Sequence, residues 1–323
     1  MLYFQAHIMQ IFFCQSMLNP SSTQAHDIYA LFRSFHIAAF GMLALIIFLS
    51  FFISIKYRKK KNDDSIPKQT TGNKTLEIFM IGIPTLLLIY FFYQSFITMK
   101  AVEPAVAEGS TPDIIITGHQ FWWDANYNNT KVVTANEIHL PAGKKILLEL
   151  RAADVIHSFW VPALGNKMDM IPGKPNFIYL NIDKPGTYAG LCSEFCGAEH
   201  AWMRMDIVAQ SEADYAKWIA ENETDAHPPM GSLATEGSTI FQTSTCANCH
   251  RIRGTDALGV IGPDLTHFDS RKKMLGGMMN VDSINIYTWI SGPQKVKPGS
   301  RMPDFIFNKD SLQALTAYLL QLK

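Results

Sequence analysis

Cys246-Ala247-Asn248-Cys249-His250 sets two thiols and an imidazole in the spacing C-x-x-C-H. Thiols so spaced can each form a thioether to one haem while the adjacent imidazole ligates its iron, the attachment signature of a c-type haem. A structural zinc site or a disulfide would be the other uses of these thiols. Zinc needs a second Cys or His pair downstream, and only His267 follows.

A second constellation lies upstream. The stretch Cys192-Ser193-Glu194-Phe195-Cys196-Gly197-Ala198-Glu199-His200-Ala201-Trp202-Met203 gathers two thiols, an imidazole and a thioether. Thiolate, thioether and imidazole together select copper over harder ions, and two thiolates four residues apart can bridge two copper ions. The alternative is a disulfide in an oxidising compartment, which leaves His200 and Met203 without a role.

These groups need elements to hold them, and 323 residues with zero formal net charge leave room for two or three domains. The chain has no basic patch of the kind that binds nucleic acid. Residues 34–55 and 78–97 carry no Asp, Glu, Lys or Arg. Each run is about 20 residues, enough for a helix to cross the hydrocarbon core of a bilayer. Pro84 falls inside the second run, where a kink is tolerable. Lys56-Tyr57-Arg58-Lys59-Lys60-Lys61, with Lys68 and Lys74, makes the connection between the runs cytoplasmic. The expected anchor is a transmembrane hairpin over 27–100 in the lipid bilayer. The N-terminus and everything after Lys100 are then extracytoplasmic, in a bacterial plasma membrane. Residues 1–26 form an N-terminal segment open to processing, in which Cys14 is either a lipidation site or an ordinary thiol.

Residues 110–209 carry short β-type runs at 114–117, 145–150, 177–180 and 205–208, punctuated by Pro141, Gly143, Pro172-Gly173 and Pro185-Gly186. That pattern predicts an all-β sandwich or barrel. Residues 210–230 read as a short helix and a polar linker ending in Pro228-Pro229, and 231–323 as a mostly helical domain.

On these motifs the chain resembles subunit II of a cytochrome c oxidase, in which C-S-E-x-C-G-x-x-H-x-x-M marks the binuclear CuA centre. Asp154-Val155-Ile156-His157-Ser158-Phe159-Trp160-Val161-Pro162 extends the resemblance. Over 231–323 it resembles a fused class I cytochrome c. The resemblance implies a cupredoxin-like sandwich with copper ligands His157, Cys192, Cys196, His200, Met203 and the main-chain carbonyl of Glu194. It also implies that the Glu194 carboxylate helps hold magnesium against subunit I. In the haem domain it implies Met302, ahead of Pro303, as the second axial ligand; the domain's other thioethers, Met274, Met278 and Met279, lie in a Gly-rich segment and read as lid or core residues. The Pro263 carbonyl would orient His250. Glu77 resembles the acid at the mouth of a proton channel, although a boundary Glu equally suits a helix start.

The implied function is electron entry into a proton-translocating haem-copper oxidase whose oxygen site lies in another subunit. Electrons would arrive from cytochrome c, or from a cytochrome-containing quinol-oxidising complex, reach haem c, and pass to the copper pair. His119-Gln120-Phe121-Trp122-Trp123 departs from the family by placing Phe121 where an entry Trp usually stands. The expected route therefore runs from the tethered haem domain through Trp122 or Trp123. A copper-containing nitric oxide reductase subunit shares the anchor and the copper motif. A copper chaperone needs no haem c or Met203, and a quinol oxidase subunit lacks the copper ligands.

Overall fold

Two runs of uncharged, bulky residues form the two longest helices, α1 (Thr23–Lys56) and α2 (Lys74–Val102). The computed structural model describes residues 16–59, 72–103, 105–107 and 109–323; Cys14 and most of the lysine-rich connection lie outside them. The chain divides into one unit spanning 26–104 and another comprising the described residues up to 25 and from 105 onward. In the first unit, Phe35 of α1 stacks on Phe91 of α2 at 4.0 Å between ring centroids. Asn73 caps α2 by accepting from the Leu76 N–H. Phe40, Phe48, Ile55 and Phe92 are exposed. Both helices are long and apolar enough to cross a membrane.

In the second unit two five-stranded sheets form a sandwich. One has the order β3-β2-β1-β5-β8 and the other β4-β10-β9-β6-β7. The first comprises β1 (Ile114–His119), β2 (Trp122–Tyr127), β3 (Val133–Ala135), β5 (Lys145–Ala152) and β8 (Asn176–Asn181). The second comprises β4 (Glu137–Pro141), β6 (His157–Trp160), β7 (Met168–Met170), β9 (Gly186–Cys192) and β10 (Arg204–Gln210). Ile114 and Ile116, then Trp123, Ala125 and Tyr127, point into the core at every second position. That is the period of a strand with one face buried.

α3 (Glu212–Asn222) follows, capped by Ser211, and packs Tyr215, Trp218 and Ile219 against the sandwich core. The residues after it are not a free tether. Arg253 donates to the carbonyls of Asn222, Glu223 and Thr224, and His267 donates to Thr224 at 2.9 Å. The sequence shows only polarity and Pro228-Pro229 here; the partners that fix the segment are in the next domain.

The haem-motif domain is helical: α4 (Ser232–Thr243), α5 (Cys246–Cys249), α6 (Ser283–Ser291), α7 (Pro293–Val296) and α8 (Lys309–Leu319). It also carries a small hairpin, β11 (Lys273–Met274) with β12 (Met279–Asn280). Phe241, Ile286, Leu315 and Tyr318 join α4, α6 and α8 in one core. α4 and α8 cross at Gly237, where a Cβ would collide with the Ala314 carbonyl. Gly237→Val should therefore lower the unfolding free energy of this domain by about 1–3 kcal/mol, an overpacking cost seen as a lower denaturant midpoint. An unchanged midpoint in an unfolding titration followed at the haem domain's Trp289 would contradict this crossing.

Candidate metal centre and haem pocket

Three adjacent strands deliver the sulfur and nitrogen donors. β9 ends at Cys192, the loop after it carries Cys196, a 3₁₀ turn holds His200–Trp202, and β10 starts at Arg204. The Cys192 N–H donates to the Met203 carbonyl at 2.9 Å, closing this loop on itself. β6 opens with His157 and pairs Phe159 with Cys192. The two thiol sulfurs stand 3.9 Å apart, far beyond the S–S bond length of about 2.05 Å, so they form no disulfide and offer two separate donor atoms. His200 Nδ1 lies 3.6 Å and Met203 Sδ 3.7 Å from Cys196 Sγ, and His157 Nδ1 lies 3.9 Å from Cys192 Sγ. The Cys192 thiol donates to the Glu194 carbonyl at 3.1 Å.

Asp154 orients this cluster. His157 donates Nε2–H to its Oδ1 at 2.8 Å, which leaves the Nδ1 lone pair facing the sulfurs. Burial alone would lower the His157 pKa, but Cys192 and Asp154 outweigh it and hold it above its ordinary value. Burial also raises both thiols. At Cys192 hydrogen bonding with His157, Ser158 and Glu194 reverses this and brings the thiol down, whereas at Cys196 the neighbouring Cys192 charge adds to burial and pushes it up. A buried pair in which ionising one thiol disfavours ionising the other suits a cation placed between them. The donor set thus fits copper.

The haem motif opens onto a cavity lined by Cys246, Cys249, His250, Met274 and Met302. Met278 and Met279 do not line it. His250 donates Nδ1–H to the Pro263 carbonyl at 2.8 Å, which fixes the tautomer and leaves Nε2 as a ligand atom. Burial lowers the His250 pKa and favours that neutral form. At Gly262 a Cβ would lie 2.6 Å from His250 Cε1, so glycine makes room for the ring. These residues fit a covalently held haem.

Part of the cavity wall comes from the sandwich: Gln120, Phe121, Trp122, Ala135 and Asn136. The docking contacts are polar and oppositely charged. The Lys272 N–H donates to Glu137 Oε2 at 3.1 Å, and Lys273 pairs with Asp206 at 3.5 Å. Gly276, in the left-handed region at φ 68°, packs so closely on the copper loop that a Cβ would lie 2.8 Å from the Trp202 carbonyl oxygen. Burial would raise the Glu137 pKa, but His139, the Lys272 N–H and Arg271 hold it below the usual carboxylate value.

Residues 130–211 match the model of the cytochrome c oxidase subunit II periplasmic domain, and 234–323 match that of cytochrome c. The chain is 37% identical over 313 residues to cytochrome c oxidase subunit 2 of Alkalihalophilus pseudofirmus, covering 95% of this chain and 90% of that one. It belongs to the subunit II family of cytochrome c oxidases. The subunit II of Bacillus sp. strain PS3 is 30% identical, over 82% of this chain and 79% of its own. Among solved structures, the periplasmic domain of the Bradyrhizobium japonicum subunit II is 32% identical, covering 35% of this chain and 95% of that domain at a TM-score of 0.34. This subunit II is thus part of an oxidoreductase complex. Its two matched domains imply a CuA copper centre and a haem c.

Of the remaining sequence candidates, the aromatic residues lie beside the two centres and Glu77 lies in the other unit. Trp122 stacks on His119 at 4.2 Å and lines the haem cavity, whereas Trp123 is fully buried behind it, 6.3 Å from the His157 ring. Phe121 shares the cavity wall with Trp122. The Glu194 carboxylate is exposed and belongs to no convergent group of metal donors among the described residues, so magnesium gains no support. Glu77 lies in the first turn of α2, in the hairpin unit. Asp154 is legible in the sequence only as a member of the run before His157; its role as orienting acceptor comes from geometry.

Two predictions follow from these electrostatics. Asp154→Asn should weaken copper binding about 10–100-fold, by loosening the His157 ring, with an unchanged thiol titre; equal affinity in a competitive chelator titration would show that His157 needs no such support. Asp124, facing Arg251, Asp264 and Arg271, is pushed up by burial from 3.8 to about 6. A raised acid pKa means that the folded state disfavours the charged form. The cost is absent below the unfolded pKa, accrues between 3.8 and about 6, and is complete above. Asp124→Asn should therefore stabilise the protein above pH 6 by about 3 kcal/mol at most, with the gain vanishing towards pH 4. Denaturant midpoints of both proteins across that window check the sign.

Proposed function

We propose that this subunit II is the electron-entry subunit of a haem-copper terminal oxidase, with its own haem domain as the immediate donor to its copper domain. The observation that carries this reading is the shared wall: Gln120, Phe121 and Trp122 of the copper domain line the haem cavity. When bound, haem c and the copper pair supply one-electron redox chemistry. The chain's own residues do the rest. His250, held by Pro263, and Met302 flank the haem position; the thiols of Cys192 and Cys196, with His157, His200 and Met203, enclose the copper position. Phe121 and Trp122 fill the space on the cavity side of the copper loop, and Trp123 backs His157.

The external donor in this reading is cytochrome c or a cytochrome-containing quinol-oxidising complex, and oxygen is reduced in subunit I. The relatives' names favour oxygen over nitric oxide as the acceptor. The lysine-rich connection supports a cytoplasmic turn, with both C-terminal domains outside a bacterial plasma membrane. Glu77, at the cytoplasmic start of α2, is then a proton-entry residue facing subunit I.

The test is electron injection into the purified complex by a photoreductant bound to the haem domain. Electrons should leave the haem domain and arrive at the copper domain with one matched time constant. A haem domain that stays reduced through steady turnover while the copper domain cycles would overturn the proposed order.

A further inference from the structure

The hairpin joining β1 to β2 pairs His119 with Trp122, so Gln120 and Phe121 form its two-residue tip. That tip inserts between the two ligand loops. The Gln120 N–H donates to Asp154 Oδ2 at 2.7 Å, the carboxylate whose other oxygen accepts from His157. The Gln120 side-chain amide donates through Nε2 to the Cys196 carbonyl at 2.5 Å. Its Oε1 accepts from Arg301, the residue before Met302. Gly197 provides the berth: it sits at φ 131°, and a Cβ there would lie 3.0 Å from both Gln120 Nε2 and the Phe121 ring. On the other side of the contact, a Cβ on Gly299 would lie 3.1 Å from Ala198 Cβ. The haem-ligand loop 299–302 and the copper-ligand loop 196–198 therefore touch here, and Gln120 bonds to both.

We propose that Gln120 is a positioning residue for interdomain electron transfer, its carboxamide clamping the Met302 loop of the haem domain to the Cys196 loop of the copper domain. The inference rests on the electron-entry reading above. A carboxamide suits the position because it donates at one end and accepts at the other, matching a carbonyl on one side and a guanidinium on the other. Glutamate keeps the Arg301 contact but presents no N–H to Cys196. Methionine, of similar length, supplies neither bond. The Arg301 bond is charge-assisted, which corresponds to about a ten- to hundredfold change in an equilibrium constant when it is lost.

The experiment uses the complete oxidase complex with Gln120→Met, Gln120→Glu, Arg301→Met and the Gln120→Met/Arg301→Met double variant. Haem and copper contents are measured first. The haem-to-copper transfer rate then follows from photoreduction, and backbone hydrogen exchange is read over residues 297–303. Gln120→Met and Arg301→Met should each slow transfer about tenfold or more and speed exchange in that segment. The double variant should be no slower than the slower single one, and Gln120→Glu should fall between Gln120→Met and wild type. Transfer within twofold of wild type in Gln120→Met overturns the clamp, as does slowed transfer without faster exchange or a strictly additive double variant. Should Gln120→Met lose copper, Arg301→Met, exposed and outside the copper ligands, carries the same readouts. Failure of the electron-entry reading is distinct: wild-type haem and copper domains would then not exchange electrons on the turnover timescale at all.

Discussion

Two ionisable thiols held 3.9 Å apart in a buried site repel each other as soon as both lose their protons. Everything around Cys192 and Cys196 answers that constraint. The loop between β9 and β10 is closed by the Cys192-to-Met203 backbone bond, so the sulfurs cannot relax apart. Met203 and His157 are completely buried and exclude water from one side. His157, Cys192 and Cys196 converge their donor atoms here, a set that suits a soft metal cation. The sandwich holds these donors together on the adjacent strands β10, β9 and β6.

The haem pocket follows a different logic. His250 is favoured neutral by burial and aimed by the Pro263 carbonyl, while the two thiols occupy a single short turn of helix. Local sequence builds most of it. The remainder of the wall is borrowed from the sandwich; across the junction Glu137 accepts from the Lys272 backbone N–H and Asp206 pairs with Lys273. The two centres are therefore connected by packing as well as by a length of chain.

This difference governs what the sequence reveals. Cys192–Met203 and Cys246–His250 are legible because each packs its chemistry within a dozen residues, and the charge-free runs announce α1 and α2 by length alone. The strands over 114–119, 145–152, 176–181 and 204–210 follow from β-branched runs. β4, β6 and β9 do not, because Glu137, His139, Ser158 and Gly190 interrupt any apolar pattern; in the fold Glu137 and His139 bond to each other and Gly190 makes room for Met205 and Val161. Gln120 is invisible for a stronger reason: its partners are 76 and 181 residues away. Of the helix and polar linker expected over 210–230, the helix is present as α3, and the chain at 222–224 after it is bonded to the domain it leads into, since polar residues read alike whether they face water or a guanidinium.

That guanidinium has a consequence for where one domain stops and the next begins. The last carbonyls of a helix need donors from outside its own turns. At the end of α3 the Ile219 and Trp218 carbonyls are met locally by the Glu223 N–H and the Asn222 side chain, but those of Asn222, Glu223 and Thr224 accept from Arg253, 29 to 31 residues further along in the haem domain. The end of the copper domain is thus bonded to its neighbour, whose Arg253 guanidinium makes three hydrogen bonds to it. The border is a shared hydrogen-bonded joint with no cut point of its own. Inherited or engineered exchanges of the haem module would have to carry this arginine with them, or the helix they leave behind would fray.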